Sequence, residues 1–93
     1  MQTQIIAIGG GGFGRTLDRL PQERYILDQC GAERPKVAFL PQASCEDGGY
    51  VASFYEAFTR LGATPTKVSL FGVVKPDWED RLLEQDIIYV GGG

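Results

Sequence analysis

Histidine is absent from the 93 residues, and cysteine occurs only twice, at Cys30 and Cys45. Without an imidazole, no Cys-His or Ser-His pair can form inside the chain. Two thiols and no histidine also leave no credible zinc site, and no cofactor is expected. The N-terminus carries no charged-then-apolar signal segment, so the two cysteines read as reduced thiols rather than a disulfide. Basic residues number nine against twelve acidic, a net charge of -3, and nowhere do Lys or Arg form a run. A nucleic-acid or anionic-membrane partner is therefore not expected. No apolar stretch reaches the length needed to span a bilayer. These absences point to a cytoplasmic chain.

What is present fits one small domain. Hydrophobic residues make up 43% of the sequence, the share of an ordinary globular protein. Glycine is in excess: 13 residues, roughly twice the usual usage of about 7%. The glycines cluster at Gly9 to Gly12 with Gly14, at Gly48-Gly49, and at Gly91 to Gly93. Clusters at fixed points in an ordinary chain mark special turns, not flexible linkers.

Between the clusters the pattern alternates. Gln4 to Ile8, Val37 to Leu40, Lys67 to Phe71 and Asp86 to Val90 are short apolar runs, the signature of strands buried on both faces of a parallel sheet. Pro21 to Cys30 reads as a helix, with proline in its first turn and Gly31 as a left-handed stop. Ser44 and Asp47 have capping-box spacing before a second helix. In that helix Val51, Phe54, Phe58 and Leu61 share one face, and Gly62 is its stop. Pro76 opens a third helix, with Asp77, Glu79 and Asp80 where the helix dipole favours them and Trp78, Leu82 and Leu83 as its apolar side. The resulting β-α-β-α-β-α-β order implies a three-layer α/β/α fold with a mostly parallel, flavodoxin-like sheet. Ligands of such sheets bind at the carboxyl ends of strands. Three loops fall there: Gly9 to Arg15, Pro41 to Gly49, and Gly91 onward.

Gly9, Gly11 and Gly14 match the G-x-G-x-x-G of dinucleotide-binding folds. Arg15 to Arg19, however, lack the apolar spacing of a helix that starts in the loop. The second strand ends in Leu40-Pro41, without the acidic residue that holds a ribose. A tight, ligand-free loop is the better reading, with Gly10, Gly11 and Arg15 as weak candidates for contact with an anionic group. Cys45 reads as an incidental thiol. Ser44 reads first as a cap and only weakly as a substrate contact. Glu46 and Asp47 read as solvated helix-start residues, and Tyr55, Phe58 and Trp78 as core. Gly91-Gly92-Gly93 directly follows a buried strand, where exposed amides suit an anion or a developing oxyanion.

Four motifs taken in order resemble the peptidase E family, which includes dipeptidase E and cyanophycinase. They are the strand followed by Gly9 to Gly12, the loop Phe39 to Ser44, the helix segment Phe54 to Phe58, and Ile87 to Gly93. The resemblance covers essentially the whole chain and implies a fold similar to class I glutamine amidotransferases. It also implies a serine hydrolase in which a Ser on a sharp elbow attacks an amide and a His acts as base. A backbone amide of the glycine turn, here Gly92 or Gly93, contributes to the oxyanion hole. The family continues with Asn-Thr, a Gly-x-Ser-Ala-Gly nucleophile and its His, none of which occurs here. Residues 1–93 are thus expected to be the N-terminal portion of a longer domain, inactive alone, marginally stable, and prone to associate through an unfinished sheet edge or as a homo-oligomer. The complete enzyme would act on a small peptide or amide, with aspartate beside the cleaved bond. The competing expectation is a non-catalytic α/β module that binds a nucleotide or other anion through its glycine loops.

Overall fold

The computed structural model describes residues 3–71 and 75–92. Its elements run α1 (Pro21–Asp28), β1 (Lys36–Leu40), a 3-10 turn (Gln42–Ser44), α2 (Gly48–Arg60), β2 (Thr64–Lys67), α3 (Trp78–Leu83) and β3 (Ile87–Val90). The three strands form an open parallel sheet in the order β2-β1-β3. The expected α/β class with a parallel, flavodoxin-like sheet is therefore what the chain adopts.

β1 is central and Val37, Ala38 and Phe39 are fully buried. That is the burial a strand paired on both sides requires. Its two ladders pair Lys36 with Thr64 through Phe39 with Lys67, and Val37 with Ile87 through Leu40 with Val90. Asp86 pins the entry to β3: its carboxylate accepts from the Lys36 amide at 2.9 Å, and its own amide donates to the Lys36 carbonyl at 2.9 Å. β3 is covered on one side only. Ile87 and Tyr89 pack on the core while Ile88 and Val90 are exposed, so burial on both faces does not hold for it.

Four of the expected elements take another form or other bounds. Gln4 to Ile8 is not a strand; it carries no ladder, and Ile5 is 95% exposed. β2 spans Thr64–Lys67 rather than 67–71. Pro65 is admitted because β2 is an edge strand and the amides that face β1 are those of even-numbered residues: Thr64 donates to Pro35 and Val68 to Phe39. Beyond Val68 the Leu70 and Phe71 amides are taken by the Glu46 carboxylate, so the ladder cannot continue. α1 ends at Asp28, and Gly31 does not take up the left-handed conformation. α3 starts at Trp78 and buries none of its residues. Part of the loop before it, Gly72 to Val74, lies outside the described residues.

α2 follows expectation closely. Phe54, Ala57 and Phe58 are fully buried, and Val51 and Leu61 pack beside them. Gly62, at φ 86°, ends it in a Schellman turn: its amide donates to Thr59 and that of Ala63 to Phe58. The start differs. Asp47, not Ser44, is the cap, its carboxylate accepting from the Tyr50 amide at 2.9 Å. Tyr55 is 39% exposed, and its hydroxyl accepts from the Lys67 amide, so it is not a core residue.

Phe13 lies at the centre of the core. It is 2% exposed and meets Phe39, Tyr50, Phe54, Phe58 and Tyr89 at ring-centroid distances of 5.2 to 5.9 Å. Most of these pairs are edge-to-face or tilted, the arrangement favoured by the ring quadrupole.

Candidate active site

A groove of about 1430 Å³ is lined by β3, the N-terminal segment, the glycine loop and the start of α2. Gly10, Gly11, Arg15, Ser44 and Gly92 all line it. These candidates come from three separate loops. Gly93 lies outside the described residues.

Gly91 extends the sheet by one bond, its amide donating to the Leu40 carbonyl at 3.0 Å. Its glycine identity comes from space, not from unusual dihedrals. A Cβ here would lie 2.9 Å from Phe39 Cε1 and 3.0 Å from both Tyr50 Cε2 and the Tyr50 hydroxyl. Gly92 is exposed, and a Cβ on it would meet nothing within 4 Å. The chain therefore leaves the sheet at Gly92 with its backbone open to the groove.

The glycine loop is built around Phe13. Gly10, Gly11 and Gly12 have φ of 123°, 79° and 81°, a run of left-handed conformations that side chains rarely adopt. This run turns Phe13 into the core, where its amide donates to the Glu23 carboxylate at 2.8 Å. Gly12 also admits a close approach: a Cβ on it would come within 2.9 Å of Gln22 Oε1 and Glu23 Oε2. Gln22 closes the loop by donating to the Gly10 carbonyl at 3.1 Å. No helix begins in the loop; α1 starts only at Pro21, and its first turn carries the fully buried Glu23. A pyrophosphate needs a helix N-terminus aimed at it and repels a carboxylate. The geometry thus weighs against a dinucleotide. Arg15 is exposed at the groove, and no side-chain hydrogen bond holds it among the described residues.

In the 41–47 loop the Ser44 hydroxyl donates to the Pro41 carbonyl at 3.0 Å, an internal brace rather than a helix cap. Cys45 is exposed. Glu46 is not the solvated residue its position suggests. Its carboxylate accepts from Gln42 Nε2 at 3.0 Å, Ser69 Oγ at 2.5 Å, the Leu70 amide at 2.7 Å and the Phe71 amide at 3.3 Å. Burial alone would raise its pKa; the bonds from Ser69, Gln42, Leu70 and Phe71 outweigh that and lower it to about 2. Glu46 thereby ties the loop after β1 to the segment after β2. No local sequence signal announces this, because the partners lie more than 20 residues away.

Two tyrosines complete the floor. Tyr89 is pushed up to about 12 by burial, with Tyr50 and Glu23 adding to the shift. It remains a neutral phenol throughout the physiological range. Tyr50 stacks on Phe13 at 5.3 Å and meets Phe39 edge-on at 5.0 Å, and it lines the groove. Sequence reasoning did not select it, since it sits one position before the apolar face of α2 begins at Val51. Chemically the site offers open backbone at Gly92, one unpaired guanidinium and a phenol hydroxyl. It contains no histidine.

No helix among the described residues is long and apolar enough to cross a membrane. The uncharacterized peptidase YgaJ of Bacillus subtilis (strain 168) is 46% identical over 90 residues, covering 97% of this chain and 39% of that relative. The chain thus spans well under half the length of the curated relative it matches. No solved structure matches it. Peptidase family S51 matches residues 5–93. With nearly every residue covered by the family match and a relative 46% identical over 90 residues, this chain belongs to peptidase family S51.

Proposed function

We propose that residues 1–93 are the N-terminal portion of a cytoplasmic serine-type peptidase similar to peptidase E. In this reading the amides of Gly92 and Gly93 form part of the oxyanion hole. A serine supplied beyond position 93 attacks the amide carbonyl of a small peptide, and a histidine takes its proton and passes it to the departing amine. Water then releases the acyl group. Aspartate beside the scissile bond is the first specificity to test. The observation that carries the proposal is the family match over residues 5–93, joined to an open Gly92 backbone at the carboxyl end of β3. The alternative, a nucleotide-binding module, lacks the helix that would face the phosphates. β2 and β3 are both edge strands. Taken alone, the 93 residues are accordingly proposed to be inactive and to associate through these edges.

The test uses the full-length gene product. It is expected to hydrolyse aspartate-containing dipeptides and to take a fluorophosphonate label on a serine beyond position 93. Gly92→Pro removes the amide donor and is expected to lower kcat by about 100-fold. A gene product whose intact mass is near 10.2 kDa, or a longer one that neither hydrolyses peptides nor takes label, overturns the reading.

A further inference from the structure

Tyr50 occupies a position that the proposed chemistry does not yet use. Its ring lies between the two glycine segments. A Cβ on Gly14 would sit 2.8 Å from Cε1 and 3.3 Å from Cδ1, on one edge of the ring. A Cβ on Gly91 would sit 3.0 Å from Cε2 and from the hydroxyl, on the other edge. Neither glycine lies in the left-handed region, so glycine is favoured for space: by the Tyr50 ring at Gly14, and by Phe39 at 2.9 Å together with the Tyr50 ring at Gly91. The ring is held in place by stacking on Phe13, by its edge contact with Phe39, and by the Asp47 cap on its own amide. The hydroxyl is different. It lies 3.0 Å from where a Cβ on Gly91 would sit, and no hydrogen bond holds it among the described residues. A tyrosine enclosed by aromatic rings normally satisfies its hydroxyl. Tyr50 lines the groove together with Gly92, where the backbone leaves the sheet.

We infer that Tyr50 is a substrate-contacting residue whose hydroxyl donates a hydrogen bond to a main-chain carbonyl oxygen of the bound peptide. This inference rests on the peptidase reading and extends it to a side chain within these 93 residues. The ring fills the gap between the glycine loop and the glycine turn, and the hydroxyl at its end reads the backbone of a peptide lying in the groove beside Gly91. Of the other hydroxyls near the glycine segments, that of Ser44 is committed to Pro41, and that of Tyr89 lies within reach of Tyr50, Glu23 and Gly12.

The two roles separate by substitution in the full-length gene product. Tyr50→Phe keeps the spacer and removes only the hydroxyl. It is expected to lower kcat/KM for peptide hydrolysis ~3- to 10-fold, mainly through KM, the loss of one neutral hydrogen bond. Its melting temperature and its rate of labelling by a small fluorophosphonate, which has no peptide carbonyl to bind, should match wild type. Tyr50→Ala removes the spacer too and is expected to lose melting temperature, labelling and turnover together. Wild-type kcat/KM in Tyr50→Phe overturns the inference while leaving the peptidase reading intact. So does a labelling rate that falls by the same factor as turnover, since that reports a distorted site. A wild-type protein that neither labels nor hydrolyses peptides overturns the peptidase reading, and this inference with it.

Discussion

Two apolar segments of nearly the same composition meet opposite fates. Val37 to Phe39 is fully buried at the middle of the sheet, whereas in Gln4 to Ile8 the isoleucines are 36 to 95% exposed. Both read as buried strands from sequence. The difference lies in what surrounds them. β1 has a ladder on each side and the stacked Phe54 ring on its core face, 4.4 Å from Phe39. Gln4 to Ile8 has no ladder and lies along the groove walls beside β3. Apolar residues favour burial, but a strand also needs partners for its amides. The comparison teaches that stability is concentrated in the aromatic cluster around Phe13 and in β1, and that the N-terminal segment contributes little.

The largest effect that can break this contrast is at Phe13. Replacing the ring that five others pack against leaves a cavity that the sheet cannot close. Phe13→Ala in the full-length gene product is expected to cost about 3 to 5 kcal/mol by urea denaturation, a large share of a domain's total stability. A variant that still unfolds cooperatively near the wild-type midpoint would show that the cluster does not carry the fold. Next comes Gly91→Ala. Its methyl group would press on both Phe39 and Tyr50, as the 2.9 and 3.0 Å approaches require. Overpacking of this kind is expected to cost about 1 to 3 kcal/mol, read from the same denaturation curve. Tyr50→Ala in the Gly91→Ala background should restore part of the loss, because it empties the space the methyl needs.

How much of this was legible in the sequence follows from the same physics. α2 was readable almost to the residue, because Val51, Phe54, Phe58 and Leu61 repeat at helical spacing and Gly62 has a local reason to stop the helix. β1 and β3 were readable as apolar runs ended by proline or glycine. Two of the three candidate loops were marked by glycine clusters, whereas Gly48-Gly49 proved to be the first turn of α2. Phe13 was not: a single aromatic among glycines has no period, and only the left-handed run Gly10 to Gly12 sends it inward. Glu46 was not either, since its value comes from donors at Ser69 to Phe71 that tertiary packing brings to it. Tyr50 was hidden by lying just outside the apolar face of its helix.

Glu46 gives the third test, of intermediate size. Its carboxylate is held at about 2 against an ordinary 4.5, so the folded state binds the proton less readily than the unfolded chain. Its contribution is present in full above about pH 4.5 and fades as the pH falls toward about 2. Glu46→Gln keeps the shape but weakens the bonds from Ser69, Leu70 and Phe71, and is expected to cost about 1 kcal/mol at neutral pH. The wild-type and variant stabilities should converge as the solution is acidified through that window. Parallel curves, with the same gap at pH 7 and pH 3, would mean that the clamp does not depend on charge.

The smallest effect is the most direct test of the contrast between the two segments. Ile5 is 95% exposed, so Ile5→Ser removes almost no buried surface and should change stability by less than about 0.5 kcal/mol. Val37→Ser, in the fully buried segment, should cost several times more, through both the lost apolar burial and a hydroxyl with no partner. Urea titration of the two variants side by side gives the ratio. If Ile5→Ser proves as damaging as Val37→Ser, Gln4 to Ile8 is packed in solution as a strand. The free edge of β3, which it flanks along the groove, is then the place where it pairs. A near-zero effect at Ile5 beside a large one at Val37 keeps the two segments apart, with composition alike and pairing deciding between them.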